Sequence, residues 1–138
     1  MSSSPMPRPT IGSFVGWHVL AEAHGVDPAL LDDPDFLSNT LEVSLKEAGA
    51  TVCEMNSLRF EPQGVTVLAM LAESHASMHT YPELGALFVD VFTCGESANP
   101  EHAVRQLTSM LGATGTRTST VRRGHRAPVL TSTREVLQ

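Results

Sequence analysis

Val65-Thr66-Val67-Leu68-Ala69-Met70-Leu71 runs directly into Ala72-Glu73-Ser74-His75. Val65, Val67, Ala69 and Leu71 occupy every second position, and Thr66, Leu68, Met70 and Ala72 fill the places between. That period of two, carried by mostly apolar side chains, predicts a largely buried strand that delivers the chain into Glu73-Ser74. Glu61-Pro62-Gln63-Gly64 marks a turn before it, and residues 51–60 form a strand-like run before that turn. On the far side, Tyr81-Pro82-Glu83 reads as a turn and Ala86 to Phe92 as another strand. Phe14 to Glu22 gives a strand around Val15, Trp17 and Val19. Thr114 to Val121, with its alternating threonines, gives a more exposed one.

Two helices interrupt this pattern. Asp33-Pro34 is a cap followed by a first-turn proline, Leu37, Leu41 and Leu45 recur every four residues, and Gly49 ends the run. Asn99-Pro100 opens the second helix, with Ala103, Val104, Leu107 and Leu111 on one face and Gly112 behind them. Each helix has a single apolar stripe and should therefore lie on one face of a sheet. The expected fold class is α+β: a two-layer sandwich, mostly antiparallel sheet, with two helices on one face. The expected organisation is a leader over residues 1–12, one domain over 13–123 and a loose tail over 124–138.

A chain of 138 residues with 41% apolar content supports one core. No apolar run approaches the ~20 residues that cross a bilayer, and the N-terminus lacks the basic and apolar blocks of a secretory signal. No membrane association and a cytoplasmic location are expected. The net charge of −6 argues against nucleic acid as a partner. Cys53 and Cys94 read as free thiols in a reducing compartment.

The stretch Leu71 to Gly95 carries the chemistry. Glu73-Ser74-His75 is followed by His79-Thr80, Pro82-Glu83 and Phe92-Thr93-Cys94-Gly95. Together with Gly16-Trp17-His18, Glu47-Ala48-Gly49-Ala50 and the Phe60 to Gly64 turn, these motifs resemble the short, pyruvoyl-dependent bacterial S-adenosylmethionine decarboxylase proenzymes. The resemblance covers about residues 16–121. It implies a precursor cleaved between Glu73 and Ser74 into a β chain (1–73) and an α chain (74–138), with Ser74 converted into a pyruvoyl group. That group is an electron sink for decarboxylation through a Schiff base. Pyridoxal phosphate is an unpromising alternative: the chain has no Gly-rich phosphate loop, and its one lysine, Lys46, falls on the polar side of a short helix.

The resemblance also implies roles for single residues. The Ser74 hydroxyl attacks the Glu73 carbonyl, and His79 is the base that removes the serine α-proton, an imidazole being suited to that work. Thr66 stands where the family has a serine whose hydroxyl steadies the intermediate. Cys94 matches the proton donor. Phe60 and Tyr81 match two aromatic positions that sandwich adenine, Tyr81 replacing a tryptophan, and Glu83 matches the acid that binds the ribose hydroxyls. Because Ser74 and His79 are at an odd offset on an extended chain, bringing them together requires a turn between them. The implied substrate is S-adenosylmethionine, and the product is the aminopropyl donor of polyamine synthesis. The implied assembly is at least (αβ)2, with active sites at the subunit interface.

Other readings stand beside this one. The scaffold could decarboxylate ornithine or arginine, or the chain could be a non-processing regulatory homologue. His75 and His79, with Glu73 and Cys94, could in principle ligate zinc, though no fourth-ligand motif completes such a set and no metal is expected. His18, His24, His102 and His125 receive no role.

Overall fold

The computed structural model describes residues 15–124 and 135–137. The expected leader over residues 1–12 lies outside them. One antiparallel sheet holds seven strands: β1 (Gly16–His24), β2 (Val52–Arg59), β3 (Val65–Leu71), β4 (Ser74–Tyr81), β5 (Ala86–Cys94), β6 (Gly115–Arg123) and β7 (Glu135–Leu137). Their order across the sheet is β2-β3-β4-β5-β1-β6-β7. Three helices complete the fold: α1 (Pro28–Leu31), α2 (Pro34–Glu47) and α3 (Pro100–Met110). The α+β two-layer sandwich is as the sequence predicts. The short α1 is additional to the expected elements, and the three-residue β7 pairs with β6 inside the tail over 124–138 that was expected to be loose, the rest of which beyond Gly124 lies outside the described residues.

Capping places both long helices where expected. Asp33 accepts the Phe36 amide at 3.1 Å, and Asn99 accepts the His102 amide at 3.1 Å; each supplies a partner for an amide that the first helical turn leaves free. Leu37, Leu41 and Leu45 of α2 and Ala103, Val104 and Leu107 of α3 are buried against Val19, Val67, Met78, Val89 and Val91 from the strands. Each central strand alternates buried and solvent-facing residues, so all the core lies on the helix side.

The other face of the sheet has no layer over it among the described residues. Strand register arranges it in rows. Leu68, Ser77, Asp90, Leu20 and Ser119 form the middle row. Met70, His75, Phe92, His18 and Val121 form the row on one side, and Thr66, His79, Phe88, Glu22 and Arg117 the row on the other. Leu20, Leu68, Met70 and Phe88 on this face are each between 44% and 59% exposed. No described helix is long and apolar enough to cross a membrane.

Candidate active site

The residues singled out by sequence fall into two groups at opposite ends of β4. At one end, Leu71 pairs with Ser74, and Ala72-Glu73 make the two-residue turn between β3 and β4. Glu73 has φ 62°, the one non-glycine residue at positive φ among the described residues. That region crowds Cβ against the carbonyl and costs roughly 1–2 kcal/mol for such a side chain. Ser74 Oγ donates to the Ala72 carbonyl at 3.3 Å. Cys94, at the last position of β5, donates its thiol to the Glu73 carbonyl oxygen at 3.7 Å. Glu73, Ser74 and Cys94 are thus assembled within one chain.

At the other end, Thr66 Oγ1 and His79 Nδ1 lie 3.0 Å apart across the β3–β4 ladder. They share a cavity of about 290 Å³ with Phe60, Tyr81 and Glu83. The Tyr81 ring packs tilted against Phe88 at a centroid distance of 5.1 Å. The Phe60 to Gly64 turn is pinned by the Phe60 amide to the Gly64 carbonyl (2.8 Å) and by Asp32, which accepts from the Gly64 amide (3.0 Å) and from Arg59 (2.9 Å). Thr80 ties the same end to α1 by donating to the Leu31 carbonyl at 2.6 Å.

The turn expected between Ser74 and His79 does not exist. Both residues lie on β4, paired to β3 on one side and β5 on the other over nearly its whole length, so the backbone stays extended. The chain reverses before Ser74 instead. Five residues of strand correspond to roughly 16 Å, which separates the serine from the imidazole within one chain. The same geometry disposes of zinc on His75 and His79. Four residues apart on a strand are roughly 13 Å apart, not one helical turn.

Between the two groups the structure builds a cluster that the sequence reading missed. Asp90 Oδ2 accepts from His18 Nε2 at 2.6 Å and from His75 Nε2 at 3.0 Å, and Ser77 donates to Asp90 Oδ1. Burial works against the charge on Asp90, but the hydrogen bonds from Ser77, His18 and His75 outweigh it and hold the carboxyl below its ordinary range. The available signal was Asp90 itself, the one charge within the apolar run Ala86 to Phe92. Lys46 is exposed and paired with Glu42 at 3.4 Å on α2, away from both groups.

The sequence pattern of the S-adenosylmethionine decarboxylase family matches residues 17–124. This chain belongs to that family. The match spans every strand from β1 to β6 apart from Gly16, and all of the residues placed above. An S-adenosylmethionine decarboxylase proenzyme of Parasynechococcus marenigrum (strain WH8102) is 47% identical over 125 residues, covering 91% of this chain and 98% of the relative. One from Acetivibrio thermocellus is 43% identical over 110 residues, covering 80% and 89%. In three dimensions the family fold recurs in the crystal structure of the adenosylmethionine decarboxylase from Aquifex aeolicus. Its TM-score is 0.76 at 30% identity, covering 86% of this chain and 98% of that one.

Proposed function

We propose that this chain is a self-processing decarboxylase of S-adenosylmethionine, that it cleaves before Ser74, and that two copies share each active site. The observation that carries the reading is the treatment of one peptide bond. Glu73 is held at φ 62° while the Cys94 thiol donates to its carbonyl oxygen. A strained residue raises the energy of the intact turn, and a donor on the carbonyl stabilises the oxygen as it takes up charge during attack.

Ser74 Oγ adds to the Glu73 carbonyl carbon through a five-membered ring, its proton passing to a base. Collapse breaks the C–N bond, giving an ester on Ser74 and a free amine. Removal of the Ser74 α-proton then expels the Glu73 carboxylate, and hydrolysis of the resulting dehydroalanine releases ammonia. Nothing but water is needed beyond the chain's own groups. The pyruvoyl carbonyl so formed at residue 74 supplies the electron sink on which a substrate carboxylate can leave. Cys94, already beside residue 74, is placed to deliver the proton that replaces CO2.

His79 and Thr66 are the proposed base and hydroxyl, and they lie at the wrong end of their own strand to serve Ser74. A second copy resolves this. Consider a two-fold axis between two facing sheets, perpendicular to the strands and level with the Leu68–Ser77–Asp90–Leu20 row. It reverses strand direction and brings the His79 end of one copy over the Ser74 end of the other. The half-exposed apolar residues of the uncovered face, Leu20, Leu68, Met70 and Phe88, are the surface such a pairing buries. The 290 Å³ cavity with Phe60, Tyr81 and Glu83 then faces the partner's residue 74 and takes the adenosyl part of the substrate, two rings for the base and a carboxylate for the ribose hydroxyls.

The direct test is a denaturing intact-mass spectrum of the purified protein. Two fragments are expected, residues 1–73 and a pyruvoyl-started 74–138. A single full-length mass from catalytically active protein would overturn the proposal.

A further inference from the structure

The His18–Asp90–His75 cluster is assigned no part in the chemistry above, and its composition is unusual for an open sheet face. His18 Nε2, His75 Nε2 and Asp90 Oδ2 all lie within 4.8 Å of one another, the one such group of metal-ligating atoms among the described residues. Three neighbouring strands, β4, β5 and β1, carry them, and register fixes the two imidazoles on either side of Phe92. Among the described residues no Lys or Arg is paired with the Asp90 carboxylate, whose partners are the two imidazoles and Ser77, and the Arg123 guanidinium lies on the Phe92 ring at 4.4 Å instead. We propose that His18, His75 and Asp90 form a binding site for a divalent transition ion of the zinc class.

The donor set suits that class. Two neutral imidazole nitrogens and one carboxylate oxygen are borderline ligands that favour zinc, cobalt or nickel over magnesium or calcium. Tetrahedral zinc keeps donor atoms roughly 3.4 Å apart. The present separations of 2.6 and 3.0 Å from Asp90 reflect protons bridging the same atoms, so an ion replaces two protons with a movement of under about 1 Å. The surroundings are those of a supported site. Ser77 holds the second Asp90 oxygen, and Phe92 stands against both imidazoles at centroid distances of 5.4 and 5.8 Å, giving the site an apolar wall. His75 is half exposed in the single chain, which leaves a fourth position for water or, in the proposed pairing, for a group from the facing sheet. The assignment does not depend on self-cleavage, because all three ligands are present in the folded chain before and after it.

The test uses full-length purified protein stripped with a chelator and titrated calorimetrically with zinc chloride. The expected result is one ion per chain, with affinity at least tenfold weaker in His75→Gln and in Asp90→Asn, and weakened about tenfold in Ser77→Ala through its hold on Asp90. Should Asp90→Asn fail to fold, the half-exposed His75→Gln still decides the matter. Cobalt(II) in place of zinc should show visible bands of a nitrogen and oxygen site without a thiolate charge-transfer band. Unchanged affinity in His75→Gln, a thiolate band implicating Cys53 or Cys94, or no binding at all would overturn the assignment.

Discussion

Cys94 Sγ sits 3.7 Å from the carbonyl oxygen of Glu73, across 21 residues of sequence. The thiol comes from the end of β5 and the carbonyl from the turn before β4, and strand pairing holds one against the other. Under the proposed cleavage the thiol borders the carbonyl that is attacked and would then face residue 74, so one side chain could serve both stages. Two predictions separate those uses.

Replacing Ser74 removes the proposed nucleophile. Ser74→Ala is expected to run as one full-length band and to have no decarboxylase activity, with circular dichroism unchanged because Ser74 lies at a strand end. Fragments of 1–73 and 74–138 from that variant would contradict the assignment of the cleavage site.

Cys94→Ala loses a weak donor during cleavage and the proposed acid during turnover. Processing should slow but proceed, since the strained Glu73 and the Ser74 hydroxyl remain. Turnover should fall by about 10²-fold or more, the usual contribution of a general acid. Time-resolved gel densitometry and CO2 release, measured on the same preparation, distinguish the two effects. Normal turnover would remove Cys94 from the role of proton donor.

Much of this was legible in the sequence, and the reasons differ by element. Helices α2 and α3 announced themselves because cap, proline and leucine spacing act locally. Strands β3 and β5 were readable because one face of each is buried, which imposes a period of two on the side chains. β7 was not readable, since three residues carry too little pattern. The candidate site residues were picked out as a motif, but their division between the two ends of β4 was not foreseen. That Ser74 and His79 lie at opposite ends of one unbroken strand follows from β4 having neighbours on both sides, a fact of sheet order that no local spacing encodes. His18 escaped notice for the same reason, as it meets Asp90 across 72 residues.

The uncovered sheet face makes a separate prediction. Leu68 is 50% exposed and lies in the middle row, where a facing copy would bury it. Leu68→Glu should leave the fold intact, convert the protein to a monomer by analytical ultracentrifugation, and halt cleavage with it. A cleaved and active monomer would show that one copy suffices.

Asp32 links acid stability to the cavity lined by Phe60, Tyr81 and Glu83. Its hydrogen bond from Arg59, and then that from the Gly64 amide, hold the carboxyl below its ordinary range. A carboxyl whose folded pKa is depressed contributes stability above its unfolded pKa of about 3.9, lost as pH falls through the folded value. Asp32→Asn should therefore flatten the decline in stability below about pH 4, as read from urea unfolding midpoints across pH 5 to 2.5. It should also raise KM modestly, because the charged tie from Asp32 to Arg59 beside the Phe60 to Gly64 turn is weakened. Identical pH slopes in the two proteins would contradict the role given to Asp32.

The shared site is tested most directly by pairing two inactive copies. Ser74→Ala and His79→Ala chains, co-expressed with different tags and purified as the mixed assembly, retain one complete set: Ser74 from one chain and His79 from the other. The account predicts that the His79→Ala chain is cleaved in the mixed assembly, though each variant alone stays full length. If the mixed assembly remains wholly uncleaved, serine and base must act within one chain, and the two-copy site is wrong.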